Sequence, residues 1–180
     1  MTIKQQIIIS GVGGQGVLFV TRLLAEAAMM KGYPVLTSET HGMAQRGGTV
    51  VSHLKVGDFS SPLIRPFSAD GLLALKPESL TQHGCFVKPG GWAIVNSSQP
   101  LQEPADLAIT SIDAESLASA IGNLKSVNLI MLGAALARFS DSKDLFCTLD
   151  DIQAVLNAQL TGAPSKLEKF TAAIDAGYRI

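Results

Sequence analysis

The run GVGGQG at residues 11–16 limits the fold more than any other stretch of this 180-residue chain. It follows the apolar, β-branched run Gln6–Ser10, which reads as a buried parallel strand. It precedes Val17–Lys31, rich in the helix formers Leu, Ala and Met. Gly11, Gly13 and Gly16 fit the spacing GxGxxG, with Gly14 an additional glycine. In that spacing the first glycine makes a tight strand-to-helix turn. The second lets backbone approach a phosphate, and the third lets helix and strand pack closely. The helix N-terminus beyond it offers unpaired N–H groups and partial positive charge. Two readings follow: an anion- or nucleotide-binding turn, or a tight βα turn with no ligand.

Gly32 and Pro34 end the helix, and Val35–Ser38 reads as the second strand, completing a βαβ unit. Residues 49–64, TVVSHLKVGDFSSPLI, alternate Val51, His53 and Lys55 against Val50, Ser52, Leu54 and Val56. With Val56-Gly57-Asp58 as a turn, they predict a hairpin. Strands are predicted at Ala69–Ala74, Trp92–Asn96 and Leu107–Ser111, with a helix starting at Lys76-Pro77. Helices are predicted at Ala114–Ile121, Val127–Phe139, Leu149–Leu160 and Lys166–Tyr178. The fold class is α/β: an open, mostly parallel, Rossmann-like sheet with helices on both faces and a β-hairpin insertion after the second strand. No repeat or linker divides residues 1–180, which are expected to form one domain.

Composition narrows the function. Fourteen basic and fifteen acidic side chains give a net charge of −1, with no basic stripe to attract nucleic acid. No apolar run approaches the ~20 residues of a membrane span, so a cytoplasmic, soluble protein is expected. The two cysteines, Cys85 and Cys147, form no CxxC pair; they read as core thiols, and no iron–sulfur or zinc site is expected on this chain alone. His41, His53 and His83 lack metal-ligand spacing. His53, on a strand, reads as a solvated or satisfied histidine. Neither GxSxG, HExxH nor GxxxxGK[ST] occurs.

The loop ETHGMAQRGG at 39–48 supplies the other candidate site residues. Glu39, at the end of the second strand, is placed either to hold a ribose hydroxyl or to serve the loop itself. Arg46 offers a fork of donors to a phosphate or carboxylate, or else pairs with Glu39 as a brace. His41, Gly47 and Gly48 flank it. The loop is expected at the carboxyl end of the sheet, beside the glycine turn. These residues alone leave open a stand-alone nucleotide-binding module or a small NAD(P) enzyme.

GVGGQG at 11–16 and SETHGMAQRGG at 38–48 together resemble the γ domain of 2-oxoacid:ferredoxin oxidoreductases, GMAQRGG being the more specific of the two. The resemblance continues through residues 49–64, ADGLLALKPES, VNLIMLGAAL at 127–136 and the C-terminal helix. As a free-standing γ domain of this length, the chain most resembles the smaller, β subunit of the arylpyruvate (indolepyruvate) branch of the family. The resemblance implies a non-catalytic subunit, inactive alone. A larger partner would bind thiamine diphosphate, magnesium and iron–sulfur clusters. The complex would convert a 2-oxo acid to an acyl-CoA and reduce ferredoxin. A γ subunit of a pyruvate, 2-oxoglutarate or branched-chain enzyme is the alternative within the family. The implied ligand of this chain is coenzyme A, at Gly11, Gly13, Gly14, Gln15, Gly16, Glu39, His41, Arg46, Gly47 and Gly48. No catalytic residue is carried over.

Overall fold

The computed structural model describes residues 3–42, 48–99, 101, 106–140 and 144–180. The chain alternates as the sequence predicts: β1 (Lys4–Val12), α1 (Val17–Met30), β2 (Val35–His41), β3 (Thr49–Gly57), β4 (Ala69–Ala74) and α2 (Glu78–His83). A 3-10 turn at Gly84–Phe86 leads into β5 (Val87–Asn96), β6 (Ala108–Ile112) and α3 (Ala114–Ala120). A second 3-10 turn, Leu124–Ser126, precedes α4 (Val127–Phe139), α5 (Leu149–Gln159) and α6 (Pro164–Tyr178).

The six strands form one sheet in the order β2-β3-β1-β4-β5-β6. The pairs β1–β4, β4–β5 and β5–β6 are parallel, while β3 runs antiparallel to both β1 and β2. The sheet is thus mostly parallel, with β3 the one reversed strand. The expected hairpin within 49–64 is corrected. Residues 49–57 are a single strand, and its antiparallel partners are β1 and β2. The alternation was real, but both of its faces are covered: Val50, Leu54 and Val56 pack with one core and Val51 with the other. The βαβ unit is also modified, because β3 lies between β1 and β2.

Helices cover the two faces unequally. On one face Ile7, Ile9, Leu73 and Ile94 pack against α1, α3, α4, α5 and α6. On the other, Ile8, Leu72, Ala93 and Val95 are covered by Leu80 of α2 and by Ile64 of the segment linking β3 to β4. Helix α4 is nearly all apolar because it is enclosed by the sheet and α6. A Cβ on Gly133 would lie 2.0 Å from the Ile174 carbonyl oxygen, and one on Gly177 1.9 Å from that of Ile130. These reciprocal glycines let α4 and α6 touch backbone to backbone. Trp92 stacks on Phe139 at 4.5 Å between ring centroids and lies over Gly71. Cys147 is buried as expected, but Cys85 is exposed rather than a core thiol. No helix among the described residues is long and apolar enough to cross a membrane.

Candidate functional site

The carboxyl ends of β1, β4, β5 and β6 and the amino end of β3 meet at one edge of the sheet. Val12 pairs with Thr49, and Leu75 N–H donates to the Ser10 carbonyl at 2.8 Å. The glycine turn leaves β1 at this edge. Gly14 and Gly16 have φ of +94° and +81°, a left-handed backbone that non-glycine residues rarely adopt. Gly13 N–H donates to the Gly48 carbonyl at 3.0 Å, and Gln15 N–H to that of Val12 at 3.1 Å. Gly42 N–H donates to the Thr49 carbonyl at 2.8 Å. Both described ends of the 42–48 loop therefore stand at the edge where the sequence placed them. Arg46 and Gly47 lie outside the described residues.

The structure does not bring all the expected residues together. Glu39 is exposed on the edge strand β2, opposite Ser52, which is in turn opposite Ile9. With β3 intervening, Glu39 stands two interstrand spacings, about 10 Å, from β1. His41 ends the same strand, paired with Val50. Gln15 turns inward. Its Oε1 accepts from Val12 N–H at 2.8 Å, and its Nε2 donates to the Leu75 carbonyl at 3.4 Å. A Cβ on Gly11 would lie 2.7 Å from that Oε1, so Gly11 makes room for the carboxamide.

Two asparagines complete the edge. Asn96 Nδ2 donates to the same Leu75 carbonyl at 3.2 Å, while its Oδ1 accepts from Ala114 N–H at 3.1 Å, tying β5 to the start of α3. Asn128, buried in the first turn of α4, donates from Nδ2 to the Gly16 carbonyl at 3.4 Å and accepts from Leu129 N–H at 3.0 Å. It fixes the start of α4 beside the start of α1. Sequence reasoning did not single it out; the available signal was one amide in an otherwise apolar helix.

A cleft of about 530 Å³ opens here, lined by Gly14, Gln15, Glu115, Leu124, Lys125 and Val127. The starts of α1 and α4 both border it. Neither has an acidic residue in its first turn, nor a side-chain bond from its N-cap. By contrast, α3 is capped by Asp113 and α5 by a Thr148–Asp151 capping box. The partial positive charge at the starts of α1 and α4 is therefore not offset by a cap side chain, and exposed Lys125 adds a full charge at the rim of the cleft. Glu115 opposes it. Leu124, 72% exposed, gives the rim an apolar side. Among the described residues no three His, Cys, Asp or Glu side chains converge as a metal site.

The molecule is thus an α/β protein with a cleft at the carboxyl edge of a mostly parallel sheet. The chain belongs to the pyruvate ferredoxin/flavodoxin oxidoreductase family, whose model matches residues 6–180. It is 37% identical over 124 residues to indolepyruvate oxidoreductase subunit IorB of Archaeoglobus fulgidus, covering 69% of this chain and 61% of that relative's length. Its fold superposes with a TM-score of 0.75 on the gamma subunit of a keto/oxoacid ferredoxin oxidoreductase from Geobacter sulfurreducens, at 24% identity over 97% of this chain and 96% of that one. It also superposes, with a TM-score of 0.79 and 21% identity, on 2-oxoglutarate:ferredoxin oxidoreductase from Magnetococcus marinus, solved with 2-oxoglutarate, coenzyme A and succinyl-CoA bound. That match covers 98% of this chain and 31% of the other.

Proposed function

We propose that the chain is the small subunit of an arylpyruvate:ferredoxin oxidoreductase and that its part is to hold coenzyme A. The observation that carries the ligand is the pair of uncapped helix starts, α1 and α4, bordering one cleft with Lys125 at its rim. An anionic ligand is stabilised there by N–H groups that no side chain of the helix caps engages. Coenzyme A, bound in the Magnetococcus structure of similar fold, fits this chemistry as a polyphosphorylated nucleotide whose pantetheine arm carries apolar dimethyl and methylene groups beside its amides.

In this reading Gly14 and the backbone through Gly16 and Val17 face a phosphate, Lys125 pairs with another, and Leu124 packs against the arm. The loop whose described ends, Gly42 and Gly48, stand beside the glycine turn carries Arg46 in its sequence, and the Arg46 guanidinium is the further partner proposed for the ligand. Gln15 and Asn128 hold the turn and the two helix starts in place. When bound, coenzyme A supplies the thiol that accepts the acyl group. Thiamine diphosphate, magnesium and iron–sulfur clusters are assigned to the larger partner, as is the choice of 2-oxo acid. Hydrogen exchange of the complex with and without coenzyme A tests the ligand assignment. Protection should rise at residues 14–18 and 124–129. Protection that rises elsewhere and leaves both segments unchanged would place the ligand outside this cleft.

A further inference from the structure

The face of the sheet opposite α1 carries a feature that the cleft does not use. Residues 58–68 cross it without regular structure between β3 and β4. Their attachments include a bond from Gln6 Nε2 of β1 to the Ser68 carbonyl at 2.8 Å. Phe59 lies between two ammonium groups, with Lys55 Nζ 5.0 Å and Lys4 Nζ 5.3 Å from its ring centroid. Ile64, 3% exposed, plugs the apolar cluster of Ile8, Val51 and Leu72. Phe67 and Ser68 N–H donate to the Cys85 and Phe86 carbonyls, both at 2.9 Å. At the centre, Ile64 N–H donates to Nδ1 of His53 at 3.2 Å.

That last bond requires a lone pair on Nδ1, which places the ring proton of His53 on Nε2. Adding a second proton at Nδ1 would set N–H against N–H. The surroundings oppose that proton too. His53 is only 5% exposed and meets Phe86 edge-on at 5.5 Å. On its own strand the nearest charge is Lys55; α2 brings His83, on which Lys76 acts; the crossing segment brings Arg65, beside Lys55. The adjacent strands place Ile8 and Ser38 opposite it, both uncharged. His83 is itself held by Ser10 Oγ, 2.9 Å from its Nδ1.

We infer that residues 58–68 form a strap latched by the His53–Ile64 bond and released by acid. Burial first, then Lys55 and His83, lowers the His53 pKa below the ordinary imidazole value. The sign follows from linkage. With a folded pKa below the open-state value, the open strap binds more protons, so the latch is complete above about pH 6.5 and weakens as pH falls below it. In that window one proton is taken up on opening, and closure weakens about tenfold per pH unit until the folded pKa is reached.

Amide exchange of the full chain, followed by NMR from pH 7.5 to 5, reads this directly. After correction for intrinsic exchange, protection at Ile64 should fall about tenfold per pH unit below pH 6.5, with Leu54 in β3 unchanged. His53→Asn places a non-titrating carboxamide oxygen near the position of Nδ1 and should abolish the pH dependence. His83→Asn should keep it. In the wild-type chain the imidazole signal of His53 should titrate below the ordinary value, which tests the latch even if the variants fold poorly. The proposal is overturned if Ile64 protection is flat with pH, if it falls equally in His53→Asn, if the dependence vanishes in His83→Asn, or if His53 titrates as a free imidazole.

Discussion

Substituting alanine at Gly13, Gly14 and Gly16 in turn separates the contributions of the turn. Gly16 has φ +81°, and a Cβ there would lie 2.3 Å from Asn128 Nδ2. An alanine in this left-handed conformation costs about 1–2 kcal/mol. Displacing Asn128 from the Gly16 carbonyl removes a hydrogen bond contributing about 0.5–1.5 kcal/mol. The sum is about 1.5–3.5 kcal/mol, or roughly 5–10 °C in Tm for a chain of this size. Gly14 has φ +94° but nothing within 4 Å of a built Cβ, so Gly14→Ala should cost only the backbone share, about 1–2 kcal/mol. At Gly13 the nearest atom is the Gly48 carbonyl oxygen at 3.9 Å, and φ is not positive. Gly13→Ala should change stability by less than about 0.5 kcal/mol. Urea unfolding of the three variants gives the ranking. A double-mutant cycle with Asn128→Ala then isolates the clash: once the amide is gone, Gly16→Ala should cost no more than Gly14→Ala. Equal losses at all three glycines would show that left-handed backbone does not set the cost, and a Gly16→Ala cost unchanged in the Asn128→Ala background would show that the Asn128 amide does not.

Gly133→Ala forces α4 off α6, because its Cβ would meet the Ile174 carbonyl at 2.0 Å; a loss of about 1–3 kcal/mol or more is expected in chemical denaturation. Native protein should react with one equivalent of a maleimide at exposed Cys85. Cys147, whose thiol pKa is raised by burial first and then by Asp151, should react only after unfolding. Arg46→Ala should weaken coenzyme A binding by about 1.5–3 kcal/mol in calorimetry, if the guanidinium makes a charge-assisted bond to the ligand. Its Tm should hardly move; a large loss of stability with unchanged affinity would make Arg46 a structural brace.

Local signals located most of the elements. The helix at Val127–Phe139 and the strand at Ala69–Ala74 have the bounds expected from apolar runs and their punctuation. The insertion of β3 was not legible, since pairing with a strand 40 residues earlier is a non-local choice that alternation cannot specify. Gly57 looked like a hairpin tip, yet it ends β3 beside the start of β1: its N–H donates to the Pro34 carbonyl, and a Cβ there would meet the Ile3 carbonyl oxygen. The site divided the same way. The glycine turn was readable because strand, glycines and helix are contiguous. Asn128 and Lys125 reach that turn only through packing of α4 against α1, more than a hundred residues along the chain. Glu39 seemed well placed by analogy with a simple βαβ unit, and the intervening β3 moves it away.

The proposed division of labour gives this chain the coenzyme A cleft and a larger subunit of the complex the redox chemistry. The direct measurement is steady-state turnover of the reconstituted complex with an arylpyruvate, coenzyme A and ferredoxin, using wild-type chain and Lys125→Ala. No turnover by the chain alone and full turnover on reconstitution are expected. In Lys125→Ala, KM for coenzyme A should rise about tenfold or more while KM for the 2-oxo acid is unchanged, the loss expected for a charged hydrogen bond. Turnover by the isolated chain, or an unaltered KM for coenzyme A in the variant, would contradict that division of labour.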